Sequence, residues 1–107
     1  MKKILLLALL LSGCSVTLPV DGTMEDGDET FTGTTTGYAD GSGTLTVVSN
    51  KNLRCEGNWS YVARPTYGRG IFRCNNGKSG PFEFNGAGQH GTGIGRLGNR
   101  RFTFTYG

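Results

Sequence analysis

The sequence predicts an all-β protein, an antiparallel meander of about six to seven strands built from β-hairpin repeats. Nineteen glycines in 107 residues argue against helices of any length. From residue 31 onward, short alternations of apolar and polar residues are separated by turn residues, which is typical of strands with one buried face. The chain also repeats itself at a spacing of 23 residues. These features favour a single curled sheet, a small barrel or a small sandwich.

The 23-residue spacing indicates a repeated hairpin. Repeats of this length usually correspond to one supersecondary unit each. The matching pairs at this offset are glycines, aromatic residues or isoleucines: Gly57 and Gly80, Trp59 and Phe82, Tyr61 and Phe84, Gly68 and Gly91, Gly70 and Gly93, Ile71 and Ile94.

Residues 1–13 have the features of a signal peptide. A basic leader precedes an apolar run from Ile4 to Leu11, which is too short to span a bilayer as a helix. The run ends in Leu11-Ser12-Gly13-Cys14, which resembles the lipobox of bacterial lipoproteins. The resemblance implies cleavage before Cys14 and lipidation of that residue by diacylglycerol and an acyl chain such as palmitate. An ordinary secretory signal with an incidental cysteine is the alternative.

Within this resemblance, the residue after Cys14 indicates which membrane would hold the protein. It is Ser15, and not the aspartate that is associated with inner-membrane retention in enteric bacteria. We therefore expect a lipid anchor in the cell outer membrane, with the protein facing the periplasm.

Charge divides the remaining chain into two segments. Residues 15–30 carry five carboxylates and no basic residue, so residues 14–30 are expected to form the lipidated cysteine and an acidic flexible tether. The acidic residues lack the full spacing of a calcium loop. Residues 31–107 carry nine Lys or Arg against three Asp or Glu and are expected to form the all-β domain.

The two cysteines of this domain are expected to form a disulfide. With Cys14 set aside, Cys55 and Cys74 are an even pair in an oxidising compartment. Folding the chain about a loop near Arg64-Pro65 places the two cysteines opposite each other on adjacent strands.

The same folding places aromatic rings across from glycines on one face of the sheet. An aromatic ring that lies over a glycine recovers packing that the glycine lacks. The expected neighbours across the sheet are Gly43, Trp59, Gly70, Phe82, Gly93 and Phe104 in one row, and Gly41, Tyr61, Gly68, Phe84, Gly91 and Tyr106 in the next. Within the last hairpin, Gly95 is expected opposite Phe102, Gly93 opposite Phe104 and Gly91 opposite Tyr106. This aromatic face is either a buried core or an open apolar platform, and the other face is polar.

The repeat also resembles the MORN (membrane occupation and recognition nexus) repeat over residues 41–106. The residues that carry the resemblance are Glu56-Gly57-Asn58-Trp59, Gly68-Arg69-Gly70, Gly80-Pro81-Phe82 and Gly91-Thr92-Gly93. Cys55 stands where the family usually has an aromatic residue, and the last unit is shortened. The resemblance implies a scaffold that contacts lipids or proteins and does not catalyse a reaction.

Few residues are candidates for catalysis or for ligand binding. His90 is a lone loop histidine, and the register places no carboxylate or nucleophile beside it, so we expect no catalytic residue, metal or cofactor. Four basic residues near the last turns are candidates for contact with an anionic partner, although they also suit a solubilising polar face: Lys78, Arg96, Arg100 and Arg101.

The sequence therefore predicts an outer-membrane lipoprotein that acts in binding or envelope structure and is not an enzyme. Its partners would be the membrane, through the lipid anchor, and a protein, lipid headgroup or glycan. Nucleic acid is not expected as a partner of an anchored envelope protein, and the oligomeric state is left open. An inhibitor of a lysozyme-type periplasmic enzyme and a phage-type receptor-blocking lipoprotein are the alternatives.

Overall fold

The computed structural model describes residues 15–87 and 89–107. Together these residues form eight antiparallel strands in chain order: β1 (Ser15–Met24), β2 (Thr30–Tyr38), β3 (Ser42–Ser49), β4 (Arg54–Val62), β5 (Arg64–Cys74), β6 (Ser79–Ala87), β7 (His90–Leu97) and β8 (Arg100–Tyr106). Each strand pairs with the next, and β1 pairs with β8, so the sheet closes into a barrel. The predicted antiparallel meander is confirmed, with eight strands in place of six to seven.

Strand β1 corrects the prediction of a flexible tether. Residues 15–24 lie between β2 and β8, and only residues 25–29 of the predicted tether form a loop. The reason is a two-residue alternation, in which Val20, Gly22 and Met24 face the interior while Asp21 faces solvent. The predicted signal peptide and the lipidation site, Cys14, lie outside the described residues.

The aromatic face is the interior of the barrel. Trp59, Phe82 and Phe104 are each less than a tenth exposed, and the residues that flank each of them along its strand face outward. Of the predicted neighbours, Trp59 lies opposite Gly43 and Gly70, and Phe82 lies opposite Gly70. Glycine is needed at these positions because a β-carbon at residue 43 would overlap the Trp59 ring. Of the two alternatives for the aromatic face, the structure therefore supports the buried core.

One predicted register is wrong by two residues. Phe82 lies opposite Gly95 and Phe84 opposite Gly93, not opposite Gly93 and Gly91. The hairpin is tighter than expected, because Ala87 already pairs with His90. A shift of two residues keeps every side chain on its predicted face, since the strand period is two. The last hairpin has the predicted register throughout.

The two ends of the barrel differ. At one end, Met24 and Leu97 are almost fully buried and pack with Phe72 beside the Cys55–Cys74 disulfide. The loops at this end join β1 to β2, β3 to β4, β5 to β6 and β7 to β8. At the other end, where β1 begins and β8 finishes, the interior is open. We call the first the closed end and the second the open end.

Candidate binding site at the open end of the barrel

A cavity of about 380 Å³ occupies the open end of the barrel. We call it the mouth cavity, and its lining is mainly aliphatic and aromatic, including Val16, Leu18, Trp59, Tyr61, Phe84 and Tyr106. Small-molecule sites in proteins have this apolar character and occur in the mouths of β-barrels. Strand β1 contributes Val16, Leu18 and Val20 to the lining, so the cavity depends on a segment that the sequence predicted to be a flexible tether.

Trp59 forms one wall of the mouth cavity and is held in place by hydrogen bonds. Its indole Nε1 donates to Thr35 Oγ1 at 2.9 Å and to the Thr44 carbonyl oxygen at 3.3 Å. The Thr35 hydroxyl in turn donates to the same carbonyl at 2.8 Å. Because the indole N–H is hydrogen-bonded within the protein, the apolar part of the ring can contact an apolar ligand.

Phe84 contacts three other aromatic side chains at the mouth cavity. Its ring centroid lies 5.1 Å from that of Trp59, 6.2 Å from that of Tyr61 and 5.4 Å from that of Tyr106, in edge-to-face arrangements. Gly68 lies opposite Phe84 and leaves the room that the ring occupies. This packing fixes the shape of the cavity wall before any ligand arrives.

The polar groups at the mouth cavity are few. Tyr38 and Tyr61 are 48% and 41% exposed, and Gln89 lies beside them in the lining. Burial raises the pKa of the Tyr106 hydroxyl, which therefore stays neutral and can donate a hydrogen bond. The site thus combines an apolar interior with neutral hydrogen-bonding groups, an arrangement that suits a largely apolar ligand.

The predicted contact residues for an anionic partner lie at the closed end. Arg96, Arg100 and Arg101 belong to the β7–β8 hairpin, and Lys78 lies in the β5–β6 turn. The structure therefore brings three of the four together on one hairpin, away from the mouth cavity.

Two of these arginines are paired with acidic residues of the β1–β2 loop. The Arg100 guanidinium lies 3.0 Å from Asp26 and 2.9 Å from Glu29, and Arg101 lies 3.5 Å from Glu25. These carboxylates come from the segment that was predicted to be a tether. Much of the local positive charge is therefore balanced within the chain.

The residues that the structure describes include no candidate metal site. Within residues 15–87 and 89–107, no group of three or more His, Cys, Asp or Glu side chains could hold a metal ion. The same part of the chain contains no helix with the length and hydrophobicity needed to cross a bilayer. His90, predicted to lie in a loop, is the first residue of β7, where it pairs with Ala87.

The barrel architecture has a counterpart among solved structures. The chain is similar to a redesigned β-barrel, mFAP1, in a structure bound to DFHBI, with a TM-score of 0.64. The alignment covers 84% of this chain and 90% of that chain at 12% sequence identity, so the likeness concerns the fold alone. The sequence matches no protein-family model, and it matches no curated protein.

Proposed function

We propose that the protein is a lipid-anchored outer-membrane lipoprotein that binds a small, largely apolar ligand in the mouth cavity and is not an enzyme. The observation that carries the binding proposal is the cavity itself, an opening of about 380 Å³ walled by Trp59, Phe84 and Tyr106. Its volume lies within the usual range for small-molecule sites, roughly 300–1,000 Å³. The proposed anchor rests on the lipobox-like sequence that ends at Cys14.

Two further features support the binding of a small molecule. The rings that wall the mouth cavity pack edge to face against one another, and the Trp59 indole makes its hydrogen bonds within the protein, so the cavity is formed in advance. The solved barrel mFAP1, which has the same fold, is described as bound to DFHBI, and this supports the idea that such a barrel can accommodate a small molecule.

A titration of the soluble protein tests ligand binding. A Cys14→Ser form secreted without lipid is mixed with the neutral aromatic probe N-phenyl-1-naphthylamine, whose emission rises in an apolar site. We expect saturable binding to the native barrel. Leu18→Arg should abolish it, because Leu18 lines the cavity and the substitution places a charge there.

Thr17→Arg is the matched control for this titration. Residue 17 is the neighbour of Leu18 on β1 but faces outward, where its hydroxyl lies 2.9 Å from that of Thr36. This variant should bind the probe as the native barrel does. Equal binding by both arginine variants, or the lack of saturable binding by the native barrel, would contradict the proposed site.

Metabolic labelling tests the anchor separately. Cells that express the full chain are supplied with labelled palmitate, and the membranes are then fractionated. We expect label on the native protein in the outer-membrane fraction and none on the Cys14→Ala variant. A native protein without label, or a labelled Cys14→Ala variant, would contradict lipidation at Cys14.

A further inference from the structure

The distance between the proposed anchor and the barrel is a single peptide bond. Strand β1 begins at Ser15, the residue after Cys14, and β1 begins at the open end. Adjacent α-carbons are about 3.8 Å apart, so a lipid on Cys14 would hold the open end close to the leaflet. This step rests on the lipidation proposed above, together with the observation that Ser15 already belongs to β1.

The open end has an apolar edge. Four of its larger hydrophobic side chains are exposed by between 37% and 48%, and we call them the apolar rim: Val16, Tyr38, Tyr61 and Val62. Three of the four also line the mouth cavity, so the rim and the cavity form one continuous apolar surface. Tyrosine is enriched where proteins meet the membrane–water interface, because its ring is apolar and its hydroxyl is polar.

Charge near the rim is compatible with a lipid headgroup layer. Arg64 begins β5 beside the rim, and its guanidinium lies over the Tyr67 ring at 5.6 Å. The nearby carboxylate of Asp40 accepts two hydrogen bonds from Ser42, at 2.6 Å and 3.0 Å. The acidic β1–β2 loop lies at the far end of β1, which at about 3.3 Å per residue is roughly 30 Å along the strand.

From this arrangement we infer that the open end of the barrel faces the leaflet that holds the lipid anchor. We infer also that the mouth cavity binds an acyl chain of a bilayer lipid. The chain would contact the walls formed by Trp59 and Phe84. The headgroup would remain at the rim, where the tyrosine hydroxyls and Arg64 can contact it. An acyl chain is apolar and narrow, which matches a cavity lined by rings and aliphatic side chains.

Trp59 is the only tryptophan of the chain and lines the mouth cavity, so it reports contact with lipid directly. The lipidated protein is reconstituted into phosphatidylethanolamine–phosphatidylglycerol vesicles whose acyl chains carry bromine, which quenches indole fluorescence on contact. We expect loss of most Trp59 emission relative to vesicles without bromine. The Leu18→Arg variant should keep its emission, because the added charge disfavours entry of the chain.

A second indole position provides the control for orientation. Ile71→Trp in a Trp59→Phe background places the reporter on the outer face of β5, at a site where the native side chain is 68% exposed. This indole should be quenched little by the brominated vesicles. Equal quenching at both positions, or none at Trp59, would overturn the inference.

The outcomes also separate this inference from the proposed function. If Trp59 is shielded from water but not quenched by bromine, the occupant of the mouth cavity is not a bilayer lipid. The protein's own unbrominated acyl chain is then the candidate occupant. In that case the inference fails. Saturable probe binding by the soluble Cys14→Ser barrel would still stand, because that measurement involves no membrane.

Discussion

Glu29 accepts a hydrogen bond from Arg100 at 2.9 Å, an ion pair that joins the residue before β2 to the first residue of β8. The Glu29 carboxylate is almost fully buried, whereas the Arg100 side chain is one-third exposed. Arg100 also donates to Asp26 through its Nε at 3.0 Å. The pair therefore fastens the acidic β1–β2 loop to the closing strand of the barrel.

Removing the guanidinium should destabilise the barrel clearly. In Arg100→Met the buried Glu29 charge loses its partner, and breaking such a pair costs up to several kcal/mol. Because Arg100 is partly exposed and water can replace some of the contact, we expect a loss of about 2 kcal/mol in the free energy of unfolding.

Urea unfolding measures this loss, and Arg101→Met is its control. Arg101 pairs with Glu25 at 3.5 Å, and both side chains are about half exposed. This exposed pair should contribute less than about 1 kcal/mol. If the two variants were destabilised equally, the buried carboxylate would not be the reason for the effect of Arg100→Met.

The same carboxylate predicts how stability depends on pH. Hydrogen bonds from Ser49 and Arg100 hold the pKa of Glu29 below its usual value of 4.5. A lowered pKa in the folded state means that Glu29 stabilises the barrel fully above its unfolded pKa. This contribution is lost as the pH falls through the folded pKa. The free energy of unfolding should therefore fall as the pH drops below about 4.5.

The variant Glu29→Gln tests this dependence, because glutamine does not titrate. It should be less stable than the native protein at neutral pH and should lose less stability on acidification. Arg100→Met should also weaken the acid dependence, since it removes one cause of the shifted pKa. An unchanged acid slope in Glu29→Gln would assign the dependence to other carboxylates.

The disulfide should contribute substantially to stability. Cys55 and Cys74 lie opposite each other on β4 and β5 and close a segment with a sequence separation of 19. For a loop of this size, the chain-entropy model gives about 3 kcal/mol. Reduction should lower the urea midpoint of the native protein, and it should leave a Cys55→Ala/Cys74→Ala variant unchanged. Two free thiols in the intact mass of the secreted protein would contradict the pairing.

The sequence was sufficient for the hairpins because their information is local. The two-residue period and the turn residues predict which faces are buried and which strands pair, including the approach of Cys55 to Cys74. The register between β6 and β7 depended on the length of one glycine-containing turn, which the period does not specify. The resulting error of two residues changed the partners of Phe82 and Phe84 but not the side of the sheet on which they lie.

Barrel closure and the mouth cavity were less accessible from the sequence. Closure requires β1 to pair with β8, and the residues that meet, such as Gly22 and Phe104, are far apart in the chain. The acidic residues near β1 suggested a solvated tether. They are compatible with a strand because Asp21 faces outward and the others lie in the loop. The mouth cavity follows from closure and could not be predicted before β1 was recognised as a strand.

The arrangement of rings over glycines predicts a specific coupling between Gly68 and Phe84. A methyl group at residue 68 would overlap the Phe84 ring, which is buried and packed against Trp59 and Tyr106 and cannot easily move. Gly68→Ala should therefore cost about 1–3 kcal/mol in urea unfolding. Gly27→Ala is the control, because nothing lies within 4 Å of a β-carbon placed there.

The double variant Gly68→Ala/Phe84→Leu tests whether the ring is the cause, because the smaller side chain should remove part of the overlap. The losses in free energy of unfolding of the two single variants should therefore sum to more than the loss measured for the double variant. Strict additivity would mean that the glycine is required for a reason other than the ring.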